Sequence, residues 1–159
     1  MFNFPQLGRT GWTMDLQMAR MTVAELEAYL CAEFPQMFLR ASIAIEQADG
    51  RTCRVREAYD EGMLRPGGTV SGPTLMELAD FAMYVVLLSA IGPVGLAVTT
   101  NLNINFLSKA PAGHDLIAEG RLLKLGKRLA VGEVTLYSSA GPEPVAHVTS
   151  TYSIPPNRD

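Results

Sequence analysis

Two carboxylates, Glu77 and Asp80, are the only charges between Gly72 and Gly92 in a 159-residue chain. An ionised carboxylate in apolar surroundings is costly unless it is paired, hydrated or used. Three residues apart on a helix, the two lie about 60° from each other and share a broad face. One could act as general base or nucleophile while the other tunes it or plays a structural part. The simpler alternative is a pair of carboxylates emerging at one solvent-facing edge. The start of the same segment is the second feature. A helix N-terminus presents backbone N–H groups that lack intrahelical acceptors, and the dipole there favours negative charge. Gly72 has no side chain to hinder a ligand approaching its N–H, and Pro73 holds it extended. Such a donor suits the oxyanion of an acyl carbonyl, although Gly-Pro also starts ordinary helices.

Geometry constrains the combination. Gly72 and Asp80 are separated by ~12 Å along one helix, so one carbonyl cannot reach both. If both act on one substrate, Asp80 must come from a second chain whose helix runs antiparallel to the first. This reading predicts a homodimer with two sites at its interface.

Other chemistries find less support. There is no Gly-rich phosphate loop and no Ser-His-Asp order. Cys31, Cys53, His114 and His147 share no metal-ligand spacing, so neither metal nor cofactor is expected. Two cysteines are too few for a disulfide scaffold. His147 sits in a strand pattern and His114 in a turn, and both read as structural. Lys127 and Arg128 form a basic pair that is either a solvated turn or a phosphate contact. With 13 Lys+Arg against 16 Asp+Glu and a net charge of -3, a nucleic-acid partner is disfavoured. A hydrophobic fraction of 48% argues against disorder.

The elements that must position these residues follow from pattern. The opening MFNFPQLGRTGWTMD has no basic region leading into an apolar one, so a cytoplasmic location is expected. Residues 1–21 lack periodicity and read as an arm, in which Trp12 could anchor or cover a site; 22–159 read as a single domain. Thr22-Val23-Ala24-Glu25 is a capping box opening a helix that Pro35 stops. Alternating residues flank Ala48-Asp49-Gly50-Arg51, which reads as a hairpin turn. Residues 61–70 read as loop. Pro73 and Gly92 bracket a helix apolar around nearly its whole circumference, the signature of a core helix. Residues 81–100 carry no charge, but Gly92-Pro93-Val94-Gly95 interrupts them. The uninterrupted part spans ~16 Å as a helix, about half a bilayer core, which disfavours a membrane span. Its stripe Leu75, Leu78, Ala82 and Val86 is core first. Four strands follow, over residues 96–107, 115–125, 129–137 and 145–154. Six antiparallel strands need an apolar layer on one face, and the long helix is what can supply it. An α+β architecture results, a six-stranded antiparallel sheet wrapped around one central helix, with an additional N-terminal helix. One helix is a thin cover for six strands, which again points to a second subunit.

Three ordered blocks carry a resemblance. They are GGTVSGPTLMELADFAM at Gly67 to Met83, VTTNLNINFLSKAPAGHDLIAEGRL at Val98 to Leu122, and KLGKRLAVGEVTLY at Lys124 to Tyr137. Over roughly residues 41–154 the chain resembles the hot-dog-fold acyl-CoA thioesterases of the PaaI-like, phenylacetate-degradation type. That family writes the first block with His-Gly-Gly and an acid nine residues after the His. Here Ser71 stands at the His position, Pro73 at the second Gly, and the acid falls on Asp80. An Asn six residues before the usual His is Arg65 here.

The resemblance implies roles. Gly72 donates its N–H to the thioester oxygen, Asp80 of a partner chain activates water or attacks the carbonyl, and Thr99 helps hold the water or the acid. The turn Gly126, Lys127 and Arg128 resembles one that meets CoA phosphates. With it, Arg65, Ser71 and Glu77 are candidate substrate contacts. The implied activity is hydrolysis of acyl-CoA thioesters to free acid and CoA, in a homodimer or a dimer of dimers. A non-catalytic acyl-CoA or lipid-binding module of the same fold is the rival reading, motivated by Arg65 and Ser71. A hydratase of that fold would carry an Asp-x4-His pair, and neither His here has an Asp five residues before it.

Overall fold

The computed structural model describes residues 19–40 and 42–156. Most of the expected arm, Trp12 included, lies outside the described residues. The chain runs through α1 (Val23–Glu33), α2 (Pro35–Arg40), β1 (Ile43–Ala48) and β2 (Thr52–Glu57). A single 3-10 turn (Glu61–Met63) leads into the short pair β3 (Leu64–Arg65) and β4 (Thr69–Val70). Then come α3 (Gly72–Ile91), β5 (Val98–Phe106), β6 (Leu116–Leu125), β7 (Leu129–Ser138) and β8 (Pro144–Ser153).

The capping box forms as read: Glu25 N–H donates to Thr22 Oγ1 at 3.3 Å, and Thr22 N–H to Glu25 Oε2 at 2.8 Å. Leu26 and Leu30 of α1 are fully buried. Pro35 does end α1, but it also begins α2, because proline's missing N–H costs nothing at a first helical position. The expected loop over residues 61–70 contains the β3–β4 hairpin, with Gly67 and Gly68 at φ 101 and 74 at its tip. Positive φ at two successive residues is what lets so short a pair turn.

The main sheet has six strands in the order β1-β2-β6-β7-β8-β5, every neighbouring pair antiparallel. Its concave face wraps α3, which packs chiefly against β6 and β7. Twelve of the helix's twenty residues are buried, including Leu75, Leu78, Ala82 and Val86, so it is the core. By length and composition α3 could cross a membrane, with mean hydropathy 1.7, yet 67% of that apolar window is buried within the protein. The opposite sheet face is charged: Glu46 bonds Arg54 and Arg56, Arg54 also pairs with Glu119, and Arg121 with Glu133.

Close approach of helix to sheet depends on glycine. A Cβ at Gly132 of β7 would lie 2.5 Å from Met83 Sδ and 2.8 Å from the Arg121 carbonyl oxygen. The sulfur could move, but the neighbouring strand's backbone could not. Gly132→Ala is therefore expected to cost about 1–3 kcal/mol by overpacking. Chemical denaturation should show the midpoint falling with the slope unchanged. Unchanged stability would mean that β7 can move away from α3 and β6 freely.

β5 lies at the sheet edge, and none of its residues is buried. Leu102 and Ile104 are only half-buried, and Val98, Phe106 and Leu107 are each more than half exposed.

Candidate active site

Asp80 lies in the third turn of α3, half-buried. Thr99 donates its hydroxyl to Asp80 Oδ1 at 2.6 Å, and Tyr152 donates to the same oxygen at 2.9 Å. The Tyr152 hydroxyl also lies 3.1 Å from the Asp80 carbonyl oxygen. The two donors form one cross-strand pair, Thr99 on β5 opposite Tyr152 on β8. Between Thr99 and Asn101 the register shifts. Such a bulge locally re-aims side chains, and here Thr99 turns to the helix. Tyr152 is 3% exposed, its ring stacked on Tyr84 with centroids 6.1 Å apart. Burial first, and then the negative Asp80, push the Tyr152 phenol well above its usual range. It therefore stays protonated and a donor. Burial also pushes Tyr84 up to about 12. With Glu33, Phe34, Tyr84 and Val98, these groups line a recess of about 320 Å³.

Gly72 opens the same helix. Ser71 is its N-cap: the side-chain oxygen accepts the Thr74 N–H at 3.4 Å and lies 2.9 Å from Thr74 Oγ1. Leu75 N–H donates to the Ser71 carbonyl at 3.3 Å. Pro73 has no N–H. Of the first turn's donors, the Gly72 N–H is thus the one with no acceptor among the described residues. Gly72 lines a recess of about 450 Å³ together with Arg65, Thr69, Leu75, Phe106 and Lys109. The Phe106 ring sits 3.0 Å from where a Cβ on Gly72 would be, so a side chain at this position would meet it. Arg65 Nε donates to Thr69 Oγ1 at 3.1 Å, which holds the guanidinium at the rim.

The remaining candidates separate. Gly126, Lys127 and Arg128 line a third recess, about 740 Å³, with Arg20, Ala90 and Ile91 at the far end of α3. Glu77 is exposed and lines yet another recess, beside Tyr59, Asp60 and Thr74. The broad face expected to join Glu77 and Asp80 is thus divided between two recesses. Ser71 is engaged in capping, so the position that resembles a His supplies the helix start. His147 lies 3.2 Å from Glu133, whose carboxyl Arg121 above all, with His147, holds below its usual range; all three lie on the charged outer face. Cys53 donates to the Ala82 carbonyl at 3.2 Å, and burial pushes its thiol up to about 12, so it is no nucleophile. Among the described residues no three His, Cys, Asp or Glu side chains gather as a metal site.

Tyr152, Tyr84, Lys109 and Arg20 line these recesses and were not anticipated as site residues from the sequence. Tyr152 left a signal, because it continues the inward alternation of Val148 and Ser150. A buried phenol needs a hydrogen-bond partner, and an isolated helix carboxylate needs a donor.

Comparison with known proteins bears on what this arrangement does. The family model described as Thioesterase superfamily matches residues 67–145. A candidate thioesterase of Silicibacter sp. is 42% identical, with TM-score 0.80, over 89% of this chain and 97% of that one. The PaaI protein of Escherichia coli, from the phenylacetic acid degradation operon, is 23% identical with TM-score 0.65, over 82% of this chain and 90% of that one. A Streptococcus mutans protein whose structure holds acetyl-CoA is 23% identical with TM-score 0.66, over 74% and 91% of the two chains.

Proposed function

Because the chain belongs to the thioesterase superfamily, with the hot-dog fold of the PaaI-like type, we propose that it hydrolyses acyl-CoA thioesters to free acid and CoA. The observation that carries this reading is the Asp80 carboxylate, half-buried on an apolar helix and held by Thr99 and Tyr152 at the mouth of a recess. In the reaction, Asp80 takes the proton of a water that attacks the thioester carbonyl, or attacks the carbonyl itself. The oxyanion that forms accepts a hydrogen bond from Gly72 N–H. Collapse breaks the carbon–sulfur bond. In the first route Asp80 passes the proton it took to the departing CoA thiolate, and the free acid leaves. In the second the acyl-Asp80 anhydride left behind is cleaved by water, which releases the acid, restores Asp80 and supplies the thiolate's proton. Water is the co-substrate, and the step needs no metal.

The site is shared between two copies. Gly72 and Asp80 line different recesses of one chain, which fits their ~12 Å separation along α3. Edge strand β5 runs from Thr99, at Asp80, to Phe106, at Gly72. Pairing two such edges antiparallel about a two-fold axis sets the Val98 end of one strand opposite the Phe106 end of the other. Each Asp80 then approaches the partner's helix start, and the exposed apolar residues of β5 are covered. C₂ pairing of this kind makes two identical sites.

The acyl-CoA substrate is supported by the S. mutans neighbour holding acetyl-CoA and by the basic recess. From Asp80 to Ile91, where Arg20, Lys127 and Arg128 gather, is ~16 Å along the helix. That distance suits a pantetheine arm laid from the carbonyl to its nucleotide phosphates. A panel of acyl-CoAs with free-thiol detection tests the reading. CoA release is expected; acyl-CoA binding without thiol release would mark a non-catalytic binding chain instead. Within that panel, replacing both Lys127 and Arg128 by Gln should raise KM for acyl-CoA several-fold and flatten its salt dependence. Acyl-pantetheine substrates, which lack the nucleotide phosphates, should respond little. Equal loss with both substrate types would remove the turn from the site.

A further inference from the structure

We propose that Tyr152 is a positioning residue: together with Thr99 it holds Asp80 Oδ1 and so dedicates Oδ2 to the reacting water or carbonyl. The inference rests on the reading of Asp80 as base or nucleophile.

Both hydroxyls converge on one oxygen, at 2.6 Å from Thr99 and 2.9 Å from Tyr152. Oδ2 has no hydrogen-bond partner among the described residues. The asymmetry matters because the terminal torsion of an aspartate is broad and does not by itself fix the carboxylate plane. Two donors on one oxygen do fix it. Tyr152 is the stiffer of the two. Its backbone is paired on both sides, with Thr99 of β5 and Ala130 of β7. Its ring is buried and stacked on Tyr84. Its hydroxyl also lies 3.1 Å from the backbone oxygen of Asp80, which ties the carboxylate to its own helix turn. Thr99 is exposed and depends on the bulge for its direction. The sheet thus aims the acid through one cross-strand pair, and Oδ2 is left to meet the substrate.

The experiment is a double-mutant cycle in steady-state acyl-CoA hydrolysis, with thermal melts alongside. Tyr152→Phe keeps the ring and loses only the hydroxyl. It is expected to lower kcat ~10- to 100-fold through misorientation, with KM near the wild-type value. In an Asp80→Asn background the same change should have little further effect, because Tyr152 acts through the carboxylate. Wild-type kcat in Tyr152→Phe, or an equal loss in both backgrounds, overturns the proposal. If Asp80→Asn is itself fully active, the assignment of the acid falls and this proposal falls with it, a result distinct from the first two. Should Tyr152→Phe unfold, Thr99→Val removes the other donor at an exposed position. It must lower kcat without raising KM, and Thr99→Ser must restore it; failure of either ends the idea of a shared hold on Oδ1.

Discussion

Asp80→Asn is expected to lower turnover by ~10²–10⁴-fold, the typical contribution of a general acid–base group, while the protein stays folded. The amide has nearly the carboxylate's shape, and its oxygen can still accept the hydroxyls of Thr99 and Tyr152. The buried donors therefore keep an acceptor. What is lost is the capacity to take a proton from water or to attack a carbonyl. Glu77→Gln should lose far less, because Glu77 lines a different recess, beside Tyr59 and Asp60. Steady-state kinetics with thermal melts on both variants separate catalysis from stability. A severe loss for Glu77→Gln with a mild one for Asp80→Asn would move the acid to position 77.

Much of this frame was legible in local sequence. Pro73 and Gly92 mark the two ends of α3, and the helix runs from Gly72 to Ile91. Gly50, with φ 85, makes the turn between β1 and β2 where Asp-Gly predicted it. Each of these signals is contained within a few residues. What escaped depends on contacts distant in sequence or on a residue with two meanings. Pro35 stops one helix and starts another, and the stop alone is visible without knowing where the chain goes next. The β3–β4 pair is two residues per strand, too short to show alternation.

The site divides in the same way. Asp80 and Gly72 stand out as a charge and a gap in an apolar run. Thr99 entered through resemblance to a family, and the structure brings it to 2.6 Å from Asp80. Tyr152 lies 72 residues from Asp80, to which its hydroxyl donates, and what brings it there is the register of β5 against β8, including the bulge after Thr99. Register is set by the whole sheet, so no local pattern announces it. The separation of Glu77 from Asp80 is of the same kind. Their 60° offset is small on a bare helix, but here the two carboxylates open into different recesses.

In the proposed dimer one active site takes Asp80 from one chain and Gly72 from another, and mixing defective subunits puts that arrangement to the test. One variant carries Asp80→Ala. The other carries Gly72→Val, whose side chain would meet the Phe106 ring, already 3.0 Å from a Cβ at that position. Phe106 is 54% exposed and can yield, so the fold survives while the space beside the Gly72 N–H is crowded. Each homodimer should be nearly inactive. Unfolded and refolded together in equal amounts, the two chains pair at random and half of the dimers are mixed. A mixed dimer has one site with intact Gly72 and intact Asp80, and another with both defects. One good site in half of the dimers means that about a quarter of wild-type activity returns, an expectation that follows from C₂ pairing. If mixed dimers form and no activity returns, Gly72 and Asp80 do not meet across an interface, and the catalytic role of one of them must be given up.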